Sequence, residues 1–271
     1  RSTPLYSSAA SDVYKRQVTG RSCHGSMPWE GLNPLEFGSA IISEAAQRYD
    51  AREGFKDDPF LGHGTRTASL ANLDTPSDCA VPDRFIFRFD RRLTVGENPE
   101  EAVADIDGFE SVKKAREAGL TVDVSVTIYE KLTWNNYRPG NKQIYMGWAT
   151  PEDHAAIQTA TDVYRMVVTP NVETENDTRR SGAAAGTIRK EPRIDRWIFS
   201  TDGVGFPIPE ENTEIEISER KAWVHAGDFK HPPMFGFGPG IEQNTHKIGE
   251  CTDLRELRLA IAFLSRYPCL L

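Results

Sequence analysis

His24 stands in the segment Gly20-Arg-Ser-Cys-His-Gly-Ser-Met-Pro28, among glycines and serines, with Trp29, Gly31, Asn33 and Pro34 following, just ahead of an apolar helical pattern. A loop of this composition can hold an imidazole rigidly at a surface, where a ring nitrogen donates a hydrogen bond outward; a turn histidine satisfied by its own neighbours would carry the same pattern. A second segment, Phe235-Gly-Phe-Gly-Pro-Gly240, leads through Asn244 and Thr245 to His246 and on to Glu250. Imidazole is a ready ligand for a divalent metal, although a helix-capping or core histidine fits the same position. Gly238 and Gly240 offer backbone N–H groups and close approach to a ligand. Asp90 and Arg92 end an alternating stretch, where an arginine could grip a carboxylate in bidentate fashion. Arg84, Arg88 and Arg91 also let that stretch read as an ordinary solvated strand face. In Ser200-Thr-Asp-Gly203, Thr201 and Asp202 offer a hydroxyl and a carboxylate to a polar substrate, or an Asx turn that merely ends a strand.

The elements that must hold these groups follow from patterning. Apolar residues Leu35, Phe37, Ala40, Ile41, Ile42, Ala45 and Ala46 fall at helical spacing behind Pro34, which suits a first turn. Residues 64–73 alternate weakly, and residues 79–93 alternate clearly through Phe85, Phe87 and Phe89; Asp74 to Asp78 between them is turn chemistry. Asn98 and Pro99 start a helix that runs through Val103, Ile106, Val112 and Ala115 to a stop at Gly119, and residues 121–129 read as a strand. With one more strand at or before Val18, the order is strand, helix, strand, strand, helix, strand: a ferredoxin-like α+β sandwich.

Beyond about residue 135 the character changes to an α/β layer with too few strands to stand alone. A long helix opens at Pro151 to His154. Residues 170–192 are polar and read as a surface loop, 194–200 and 233–237 as short strands, and 252–263 as a closing amphipathic helix. Residues 1–17 show no sustained apolar period or capping logic, so they and the tail 265–271 read as non-native sequence outside the fold. The organisation is therefore 1–17 leader, 18–135 first domain, 136–264 half of a second, and 265–271 tail.

With 271 residues, 38% of them hydrophobic, two modest cores are within reach. The net charge of −8, with dispersed Lys and Arg, argues against a nucleic-acid partner. No apolar run approaches the roughly 20 residues needed to span a bilayer, and nothing directs export. The four cysteines form no Cys-x-x-Cys pair, so a zinc knuckle or dense disulfide framework is not indicated and a reducing cytoplasm is the expected location. No Gly-x-Gly-x-x-Gly follows a strand and no Gly-x-x-x-x-Gly-Lys occurs, which removes a nucleotide-binding reading.

Taken in order, the His24 loop, the strand end Phe89-Asp-Arg-Arg92, Ser200-Thr-Asp-Gly203, and Gly236-Phe-Gly-Pro-Gly240 leading to His246 and Glu250 resemble the zinc amidohydrolase and peptidase family of acetylornithine deacetylase and succinyl-diaminopimelate desuccinylase, closest to its subgroup linked to selenium metabolism. The likeness covers residues 18–264. It implies a ferredoxin-like lid that dimerises, inserted in an α/β zinc-hydrolase domain of which this chain holds the C-terminal portion. It further implies two zinc ions, with His246 the one matched ligand and the remaining ligands and the general base outside the chain. His24 would cross a homodimer interface to donate to the tetrahedral oxyanion in the partner's site, while Asp90, Arg92, Thr201, Asp202, Gly238 and Gly240 would meet a small N-acyl amino acid or dipeptide-like substrate. Gly249 stands where the family commonly has Asn. The other reading is a non-catalytic dimerisation or regulatory module of the same descent. His63, His154, His225 and His231 receive no role.

Overall fold

The computed structural model describes residues 5–8, 12–94, 96–129, 131–138, 140, 142–145, 149–173, 191–197, 208–209, 229–230, 234–239 and 247–270. In chain order the strands are β1 (Leu5–Ser8), β2 (Asp12–Thr19), β3 (Cys23–His24), β4 (Asp57–Asp58), β5 (Gly62–His63), β6 (Thr65–Asp74), β7 (Ala80–Val81), β8 (Arg84–Arg92), β9 (Thr121–Val126), β10 (Ile194–Trp197), β11 (Ile208–Pro209) and β12 (Phe229–Lys230). The helices are α1 (Pro34–Asp50), α2 (Pro99–Asp107), α3 (Glu110–Glu117), α4 (Ala155–Glu173) and α5 (Leu254–Arg266). They fall into two units, one of residues 9–147 and 199–230, the other of residues 1–8, 148–198 and 231–271.

In the first unit, β6, β8, β2 and β9 form one antiparallel sheet in that order. Each helical crossover spans one intervening strand, which is the split βαβ arrangement. Phe85, Phe87 and Phe89 of β8 point to one face and meet Ile41 and Ala45 of α1, Ile106 of α2, and Val112 and Ala115 of α3. Each of the phenylalanine, isoleucine and valine side chains contributes roughly 1.5–3 kcal/mol by leaving water. α1 can lie this close because residue 38 is glycine: a Cβ there would stand 2.3 Å from the Phe85 ring. The helix starts are written alike, since Asn33 accepts from the Leu35 N–H and Asn98 from the Glu100 N–H, each followed by proline in the first turn.

The single helix expected from Asn98 to Gly119 is two. Gly108 ends α2, and Phe109 turns extended to bury its ring in the core. The new N-terminus is capped from another element, because the Glu44 carboxylate accepts from the N–H groups of Glu110 and Ser111 at 3.1 and 2.7 Å. Against a desolvation that pushes it up, hydrogen bonds from Ser111 and Glu110 hold the Glu44 carboxyl below its ordinary range.

Residues 12–17, set aside from the fold by sequence, lie in the central strand, where Tyr14 and Arg16 are fully buried. The period of two through Tyr14, Arg16 and Val18 was hidden by an arginine at an inward position. Arg16 rests over the rings of Tyr14 and Phe89, donates from Nη1 to the Lys15 carbonyl, and leaves Nε and Nη2 unpartnered. Burial pulls its pKa down to about 9.

The second unit packs α4 against α5 through Ile157, Val163, Tyr164, Val167, Leu259 and Phe263, with Phe235 and Phe237 against them. β1 pairs in parallel with β10, again within the stretch read as leader. α4 continues through Pro170 to Glu173, so the loop expected from 170 begins later. No strand forms over residues 234–239; Phe235 and Phe237 serve instead as packing residues, and Phe237 stacks on Phe263 at 3.9 Å. The tail joins the fold as well: Tyr267 stacks on Phe263 and donates its hydroxyl to the Ala156 carbonyl.

Candidate active-site turn

The His24 loop is pinned by its own backbone. Cys23 and His24 pair with Val81 and Ala80, the Gly25 N–H donates to the Cys79 carbonyl at 2.7 Å, and the Met27 N–H closes a turn on the His24 carbonyl at 2.9 Å. Arg21 and Leu32 exchange backbone hydrogen bonds at the base, and the Arg21 Nε–H reaches the Glu30 carbonyl at 3.0 Å. Glycine is required at 25, where a Cβ would stand 2.5 Å from the Cys79 carbonyl oxygen. These bonds leave the His24 ring exposed at the tip, with Nδ1 met by the Ser26 N–H at 3.1 Å and the Ser26 hydroxyl at 2.8 Å. Met27 and Trp29 are exposed beside it, Trp29 to 75%, so the turn presents a polar ring framed by apolar surface.

Asp90 and Arg92 lie at the far end of β8, whereas His24 belongs to the turn before its start. Asp90 is six residues from Arg84, about 20 Å along a strand. The structure does not bring the two groups together within one chain. Arg92 grips Asp90 itself, Nε to Oδ1 and Nη2 to Oδ2 at 2.9 Å each, so a substrate carboxylate would have to displace that partner.

Arg91, read from sequence as one more solvated charge, points the other way. Its side chain is buried, pairs with Glu97 at 2.6 Å, and stacks 4.1 Å from the Phe55 ring. Glu97 also accepts from the N–H groups of Lys56 and Thr94. Beside it Arg66 pairs with Asp105 at 3.1 Å and donates to the Ala45 carbonyl, with burial lowering its pKa. This network ties the 54–64 segment to the sheet, and no local sequence signal marks it because each charge finds its partner dozens of residues away or across a bend.

Gly238 is half-buried, and a Cβ added there would meet nothing within 4 Å, so packing alone does not demand glycine. Thr201, Asp202, Gly240 and His246 lie outside the described residues. Among the described residues no three His, Cys, Asp or Glu side chains gather as a metal site. No helix among them is long and apolar enough to cross a membrane.

Residues 11–109 match the peptidase dimerisation domain family. Residues 11–109 thus form a domain of the peptidase dimerisation family. The matched stretch holds β2, β6 and β8 of the four-stranded sheet, helices α1 and α2, and the His24 turn. Over 251 residues the chain is 30% identical to the uncharacterised protein YgeY of Escherichia coli K12, covering 93% of this chain and 50% of that protein. The chain spans about half the length of the curated relatives it matches. In fold it is similar to a tripeptidase of Staphylococcus aureus, with TM-score 0.56 and 15% identity over 98% of this chain and 52% of that one. The aminopeptidase PepT of Bacillus cereus gives TM-score 0.57 and 12% identity over 97% and 52%.

Proposed function

We propose that this chain is part of a zinc-dependent amidohydrolase or peptidase that cleaves an amide bond in a small N-acyl amino acid or dipeptide-like substrate, working as a homodimer through the dimerisation domain. The observation that carries this reading is the His24 turn: a ring held at the tip of a backbone-pinned loop, exposed, inside a domain of the peptidase dimerisation family. A group meant only to satisfy its own loop has no need of such exposure. Attack of water on an amide carbonyl builds negative charge on oxygen, and a donor already in place stabilises that charge without reorganising at the moment of reaction. His24 would supply this donor to the partner subunit's site, with Met27 and Trp29 shedding water as the surfaces meet. Metal would activate the attacking water, and of its ligands this chain would contribute His246.

Replacing His24 with alanine in the full-length enzyme is expected to lower kcat about 10²–10³-fold. Bound zinc, measured by atomic absorption, should stay unchanged. Full turnover of N-acetyl amino acids and dipeptides by His24→Ala would overturn the oxyanion role.

A further inference from the structure

We infer that Ser26 is the positioning residue of His24, fixing the imidazole as the tautomer that carries its proton on Nε2; this rests on the oxyanion role proposed above. A backbone amide can only donate. With the Ser26 N–H 3.1 Å from Nδ1, that nitrogen must be the acceptor, and the proton of the neutral ring sits on Nε2. The Ser26 hydroxyl, 2.8 Å from the same atom, adds a second donor. The amide cannot drift from beneath the ring, because the turn is closed by Met27 N–H to His24 C=O at 2.9 Å and anchored by Gly25 N–H to Cys79 C=O at 2.7 Å. Among the described residues no hydrogen bond reaches Nε2. The loop thus presents one outward N–H at a set angle, matched to an oxygen that gains negative charge. The opposite tautomer would present a bare lone pair and repel that oxygen. The spacing His-x-Ser places the turn's own amide and hydroxyl under the ring, which makes Ser26 more than a loop filler.

The test is ¹⁵N-histidine NMR on the full chain, with His24 identified by its loss in His24→Gln, followed by kinetics of Ser26→Ala and Ser26→Thr in the full-length enzyme on N-acetyl amino acids and dipeptides. We expect Nδ1 of His24 at the frequency of an unprotonated, hydrogen-bonded nitrogen and Nε2 at that of a protonated one. Ser26→Ala removes the hydroxyl and keeps the amide, so Nδ1 should shift part of the way towards the value of an unbonded ring, with the proton still on Nε2, and kcat should fall roughly threefold to tenfold, the scale of one lost hydrogen bond. KM should hold, and Ser26→Thr should restore both signals. A His24 ring protonated on Nδ1, or a Ser26→Ala variant that moves neither Nδ1 nor kcat, overturns the inference. If Ser26→Ala shifts Nδ1 while His24→Ala leaves turnover intact, the positioning stands and the oxyanion role falls.

Discussion

The dimerisation domain and the second unit cover apolar surface with different materials. In the first unit, which contains that domain, a ladder of phenylalanines on one sheet face is roofed by three helices, and the rim is sealed by buried ion pairs stacked on Phe55. In the second unit the core is a cluster of aromatic rings between α4 and α5, and the other side of α5 stays apolar: Leu254, Leu257, Ile261 and Leu264, at helical spacing, are 68%, 40%, 61% and 55% exposed. A stripe of that kind is surface that a folded protein normally covers. The first region closes its core this way, while Met27 and Trp29 stay exposed at the His24 turn and Leu70 and Leu73 on β6. The second carries apolar side chains on both the packed and the exposed side of α5.

The contrast can be broken in order of effect. Glu97→Ala strands the Arg91 guanidinium in the interior and is expected to cost about 3–5 kcal/mol in urea unfolding, while Phe263→Ala costs a similar 3–5 kcal/mol by emptying the aromatic cluster. The two differ in rescue: adding Arg91→Met to Glu97→Ala should recover much of the loss, because the orphaned charge is gone, whereas no charge change repairs the Phe263 cavity. Failure of that rescue would mean the pair acts by packing alone.

Arg16→Met is expected to stabilise the fold by about 1–3 kcal/mol, since it removes buried donors without partners. The sign of its pH dependence follows from a folded pKa near 9, well below the ordinary guanidinium value. The folded chain binds fewer protons than the unfolded chain between those values, so the penalty is full below pH 9 and shrinks as pH rises. The advantage of Arg16→Met should therefore narrow above pH 9, and a constant gap would refute the burial of a charged group. The smallest effect is expected on α5, where Ile261→Gln should change the stability of this chain by no more than about 0.5 kcal/mol. A loss above 2 kcal/mol would show that the stripe is covered.

The order of the dimerisation domain was legible because alternation through Phe85, Phe87 and Phe89 and two Asn-Pro helix starts are local signals. Arg16 and Arg91 broke the reading for one reason: a charged residue at an inward position disguises the period of two, and its partners lie elsewhere in the chain. The break at Gly108 was missed because Ile106, Phe109, Val112 and Ala115 keep helical spacing across it, and the capping carboxylate comes from Glu44 on another helix. At the site, the His24 turn could be read from its glycines and serine. The separation of His24 from Asp90 and Arg92 could not, since it depends on which end of β8 each occupies.

The central claim is that His24 acts in the partner's site, and mixed dimers test it most directly. Full-length His24→Ala and full-length His246→Ala should each be inactive alone. Unfolded and refolded together at equal amounts, half the dimers are mixed and one site in each holds both intact groups, so about a quarter of native turnover should return. No recovery in dimers verified as mixed, with each homodimer still folded, would contradict the account.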